Sequence, residues 1–113
     1  MRFFDSEVVR AEMTEISELQ EEVYNNVFKF ASMDDKDKLD HINLLQKLIN
    51  KQKILYTRLS LSDDPEAKEM KKRITESAVL MGLPKDTDMN VIFNNMDRLI
   101  DVMKNQIDKK LES

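Results

Sequence analysis

A single glycine, Gly82, serves all 113 residues. At an average usage of roughly 7%, about eight would be expected. The left-handed turns of a many-stranded β fold and the loops that cradle phosphates both draw on glycine. A chain with one is confined to helices joined by short polar connections. The absence of cysteine removes disulfides, thiolate metal sites and a cysteine nucleophile. A chain of this length buries roughly 60–70% of its unfolded surface, enough for one core. The reading is one all-α domain over 1–113, with helices at about 6–30, 34–61, 65–81 and 88–110.

The first helix starts at Asp5 or Ser6, either of which can accept a free N–H of the first turn. With Asp5 as the cap, Phe4 and Val9 would form a hydrophobic staple. Val9, Met13, Ile16, Gln20, Val23, Val27 and Phe30 then recur at spacings of four and three. That is a heptad stripe with one polar member, and Val8, Leu19 and Phe28 widen it. Ser32 and Asp35 resemble a capping box for the second helix. There Ile42, Leu45, Ile49, Gln52, Tyr56 and Leu59 make one seam, and Leu48 and Leu55 make a second. Two seams predict more than one neighbour. Asp64 and Pro65 open the third helix, a cap followed by proline at the first helical position. Ala67, Met70, Ile74, Ala78 and Met81 mark its inner face, and Gly82 with Pro84 ends it. Lys85 to Asp88 precede the last stripe: Met89, Ile92, Phe93, Met96, Ile100, Met103, Ile107 and Leu111.

The short connection makes the first two helices a long antiparallel hairpin, with two shorter helices packed on it in a bundle-like arrangement. Folding about residue 32 sets Glu12 level with Gln52 and Lys53, and Glu18 level with Gln46 and Lys47. Two seams on a hairpin expose more apolar stripe than two shorter helices readily cover, so a homodimer or larger assembly is expected.

Charge is unevenly placed. Residues 1–35 carry 3 basic and 9 acidic groups, net −6; residues 36–73 carry 10 and 6, net +4; the rest is net −2. Whole-chain attraction to nucleic acid is disfavoured. A local basic surface of Lys47, Lys51, Lys68, Lys71, Lys72 and Arg73 keeps that alternative open, although Glu66, Glu69 and Glu76 are interspersed. No stretch approaches the roughly 18–20 apolar residues of a membrane span. The opening Met1–Asp5 has no apolar signal core. The expectation is a cytoplasmic protein.

No residues announce a chemistry. His41, the one histidine, is not tied by any motif to a serine or threonine, and reads as a partly exposed helical residue. The acidic pairs lack metal-loop spacing and the central glycine of an EF-hand, and read as helix starts and solvated faces. No catalytic residue, metal or cofactor is expected. Five of the eight methionines fall in the last two helices, where they suit a core or an adaptable groove. Gln20 and Gln52 sit within apolar seams, and each needs a partner if buried. In the folded-back hairpin neither opposes the other. Tyr24, Asn25 and Phe28, with Asn94 and Asn95 beyond Phe93, put amides beside aromatics, as recognition surfaces do. Tyr56 and Arg58, with Lys71, Lys72 and Arg73, complete the candidate partner-binding residues. The plainer alternative is aromatics inward and amides outward.

Arg2 to Glu7, Leu19 to Tyr24, the run from Tyr56 to Pro65, and Gly82 to Pro84 through Asn94-Asn95-Met96 together resemble a small uncharacterised family of cyanobacteria and their phages. The resemblance spans nearly the whole chain. It implies a helical cytoplasmic protein and no activity or site residues. The expected function is a non-enzymatic protein–protein interaction module, a regulator or adaptor of a cyanobacterial host complex. The alternative is nucleic-acid association through the basic middle third.

Overall fold

The computed structural model describes residues 2–80, 82–85 and 88–112. Its described elements are all helical: α1 (Glu7–Val27), α2 (Asp35–Leu61), α3 (Pro65–Leu80) and α4 (Met89–Glu112), with short 3₁₀ turns at Phe3–Asp5 and Phe30–Ser32. The molecule measures 53 × 32 × 22 Å.

Polar side chains fix where the helices begin. Ser6 caps α1, its hydroxyl accepting from the Val9 N–H at 3.4 Å. With Ser6 rather than Asp5 at the cap, the bracketing pair becomes Asp5 and Arg10, an exposed ion pair at 3.7 Å. Phe4 packs beside the core that contains Val9. Asp34 caps α2 by accepting from the Asp37 N–H at 2.8 Å. Ser32 does not cap, because it lies in a 3₁₀ turn and its hydroxyl donates to the Lys29 carbonyl. Asp64 accepts from the Glu66 N–H at 3.0 Å and from the Phe3 N–H at 2.6 Å. One carboxylate thus caps α3 and ties down the start of the chain. Those two N–H donors, Phe3 first, hold the Asp64 carboxyl below its ordinary range. Asp88 accepts from the Asn90 N–H at 2.9 Å and opens α4. The expected contributions of Asp86 and Thr87 lie outside the described residues.

Gly82 has φ +101°, in the left-handed region. Its N–H donates to the Val79 carbonyl at 3.0 Å, and the Leu83 N–H donates to Ala78 at 3.1 Å. Those two bonds are a Schellman ending of α3.

The two seams of α2 enter two separate cores, except that Leu59, expected in the first seam, packs in the core of the second. Leu48, Leu55 and Leu59 pack with Val9, Ile16 and Leu19 of α1 and Ala67 of α3. Ile42, Ile49 and Tyr56 pack with Met89, Phe93, Ile100 and Ile107 of α4. Helices α1 and α4 flank α2 and scarcely touch each other. α3 crosses from one core to the other: Met70 packs on the first, Ala78 on the second, and Ile74 on both. α4 is not a short helix; its 24 residues exceed the 21 of α1.

Residues ascending in α1 meet residues descending in α2. The Arg58 Nε donates to both Glu12 oxygens at 3.0 Å, and Lys51 Nζ lies 2.7 Å from Glu15. Glu12 therefore sits beside Arg58, not beside Gln52 and Lys53. The cause is the connection: α1 ends at Val27, before residue 30, and the chain passes through a turn and a 3₁₀ segment before Asp35. That moves the point of reversal toward α2. Val8 and Phe28 do not widen the α1 stripe; both are exposed.

Candidate functional site

All four helices converge on one apolar cavity of about 350 Å³. α1 supplies Ile16 and Gln20, α2 supplies Gln52, Leu55 and Tyr56, α3 supplies Met70 and Ile74, and α4 supplies Met89, Ile92, Phe93 and Met96. The two glutamines, expected to lie apart, share its wall. The register shift explains the meeting, because it brings the level of Gln20 toward that of Gln52. Gln20 is exposed and Gln52 half-buried, so water can serve Gln20. Met89 is buried, Met70 half-buried and Met96 exposed at the rim. The methionines thus divide between core and groove. Met81 lies outside the described residues.

The candidate partner-binding residues do not form one surface. Tyr24 and Phe28 lie together near the end of α1, 68% and 82% exposed, with ring centroids 6.1 Å apart and edge to face. Asn25 is exposed between them. Tyr24 lies within α1 but off its apolar stripe, and Phe28 follows the last residue of the helix.

Tyr56 is not a surface residue. It is 7% exposed, packed on Phe93 at 5.9 Å, with Lys71 Nζ 5.7 Å from its ring centroid. Its place in the main α2 seam carried that signal. Arg58 is held by Glu12, and Arg73 lies 3.6 Å from Glu69. Asn94 accepts from Lys53 Nζ at 3.1 Å, while Lys72 and Asn95 are exposed. The structure brings together Tyr56 and Lys71, and separates both from Tyr24 and Phe28.

His41 departs most from expectation. It is 5% exposed, stacked at a tilt on Phe30 at 5.4 Å, and its Nδ1 is buried without a hydrogen-bond partner. Lys38 Nζ lies 5.6 Å from the centroid of the same Phe30 ring. Burial pushes the His41 pKa below its ordinary value. The signal was present in the spacing: His41, Leu48 and Leu55 recur every seven residues, so the histidine opens the second seam. Glu22, Asp37 and Asp40 line a hollow of about 330 Å³ beside it, but all three are exposed. No group of three or more His, Asp or Glu residues among those described could hold a metal ion.

The basic middle third is largely engaged within the molecule. Lys51 donates to Glu15, and this hydrogen bond, with the charge of Lys51, holds the Glu15 carboxyl below its ordinary range. Lys47 lies among Glu15, Glu18 and Glu22. No helix among the described residues is long and apolar enough to cross a membrane.

These features define an all-helical protein built as two cores on one shared helix. The family model described as a domain of unknown function (DUF1825) matches residues 1–107, and the chain belongs to that family. Nothing among curated proteins or solved structures matches it.

Proposed function

We propose that this chain is a non-enzymatic protein–protein interaction module. The observation that carries the reading is the exposed aromatic pair Tyr24–Phe28, with half-exposed Val27 between the two rings in sequence. Its own fold leaves this surface uncovered, and exposed apolar patches of this kind mark interaction sites. The junction cavity supports the same reading. Apart from the Tyr56 phenol, its walls hold no acid or base. The α1–α2 pair serves as an antiparallel hairpin framework that presents the α1 end, and the module self-associates. The family resemblance carried by the runs from Tyr56 to Pro65 and from Gly82 to Met96 supports a cyanobacterial or cyanophage setting, with the module as a regulator or adaptor of a cytoplasmic host complex.

The test is affinity capture from cyanobacterial lysate by the wild type and by a Tyr24→Ser/Phe28→Ser variant. Both side chains are exposed, so the variant is expected to keep the helical circular dichroism and lose the captured complex. Equal capture by both proteins would defeat the reading. Nucleic-acid association is less well supported, because Lys51 and Arg73 are ion-paired and Lys71 lies over Tyr56. No retardation of DNA or RNA is expected even at low salt, where phosphate contacts are strongest.

A further inference from the structure

A second surface is left uncovered along α4. Leu99 and Val102 are 64% and 53% exposed, although both stand in the middle of a helix whose other face fills a core. Asn95 and Gln106, also exposed, flank them. The spacing Asn95–Leu99–Val102–Gln106 is four, three, four, so the four residues lie on one stripe. Read in either direction, that stripe runs carboxamide, aliphatic, aliphatic, carboxamide.

We infer that this stripe is a self-pairing face, and that its occupant is the same stripe of a second copy running antiparallel. A two-fold axis between Leu99 and Val102 sets Leu99 against the partner's Val102, twice. It also sets Asn95 against the partner's Gln106, twice. Two apolar layers are then closed at each end by a carboxamide pair. Charge favours the same direction. The antiparallel pair brings Asp88, at the start of one α4, within about one turn of the partner's Lys109, and opposes the two helix dipoles. A parallel pair would align the dipoles and set Asp88 beside Asp88.

The available area sets the strength. α4 is about 36 Å long, and one face about 10 Å wide supplies roughly half of the ~800 Å² per partner of a standard interface. A face of that size fits a weak dimer. The inference rests on the proposed self-association and adds its face and direction.

The experiment combines mass measurement with crosslinking, and the absence of cysteine makes single-cysteine variants unambiguous. Light scattering at high micromolar concentration is expected to show a dimer for the wild type. Leu99→Glu is expected to raise the dissociation constant at least about tenfold, since it puts a carboxylate into an apolar layer. Because Leu99→Glu could also disturb folding, a second measurement is independent of it. Leu99→Cys and Val102→Cys proteins are mixed under oxidising conditions. They are expected to join to each other more readily than either joins to itself or to a Ser60→Cys control. A wild type that stays monomeric overturns both this inference and the self-association it rests on. A wild-type dimer that survives Leu99→Glu and forms no Leu99→Cys to Val102→Cys link overturns the face alone.

Discussion

Gly82 and His41 show how far one side chain, or its absence, shapes this fold. At φ +101° an L side chain is strained whatever space surrounds it, and a Cβ at Gly82 would meet nothing within 4 Å. The cost of Gly82→Ala is therefore purely conformational. It is expected to destabilise by about 1 kcal/mol, read as a lower urea midpoint; an unchanged midpoint would count against the Schellman ending. His41 makes the opposite kind of prediction. Its folded-state pKa is below the unfolded value of about 6.5, so the unfolded chain binds more protons in acid. Stability attributable to His41 is present above about pH 6.5 and is lost as pH falls through that value toward the folded pKa. Glu15 and Asp64 are depressed carboxylates, and their contributions are lost only lower, as pH falls through the ordinary carboxylate range and below. Urea midpoints at pH 8 and pH 5 are expected to converge in His41→Leu relative to the wild type. An equal drop in both proteins would remove His41 as the cause.

Among the elements, α3 is the one whose role the sequence conceals. Its start and end are legible: Asp64, Pro65 and Gly82 carry them in local chemistry. Its crossing is not, because whether Ile74 touches one core or two depends on the angle between helices, which no spacing within α3 encodes. The same limit applies to the register of α1 on α2. The alternating seams announce that the helices pair, but the turn at Phe28–Lys29 and the 3₁₀ segment after it decide that Glu12 meets Arg58. The glutamines were visible as polar members of apolar seams. Their meeting in one cavity was hidden behind that register. Tyr24 and Phe28 were legible as aromatics beside amides, whereas Tyr56 belonged with the core that its seam already indicated. Ile74→Ala is expected to cost about 2 kcal/mol, toward the low end for such a truncation because the side chain is only half-buried. Leu80→Ala, on the same helix and 88% exposed, is expected to change the midpoint little. Equal effects at the two positions would contradict the crossing arrangement.

For the molecule as a whole, the partition of its apolar residues matters more than their number. Two cores share α2 and are bridged directly by Ile74. Loss of the α4 core would leave α2 still held by α1, and loss of the α1 core would leave it held by α4. In hydrogen-exchange terms, amides of α1 or α4 become free to exchange when the one core on that side opens, whereas those of α2 wait for both. The slowest-exchanging amides are therefore expected between Ile42 and Leu59, with α1 and α4 exchanging through smaller openings. Comparable protection across all three helices would mean that the cores open together. The spine of two seams, seen first as a pattern of leucines and isoleucines, thus sets the order in which the protein comes apart.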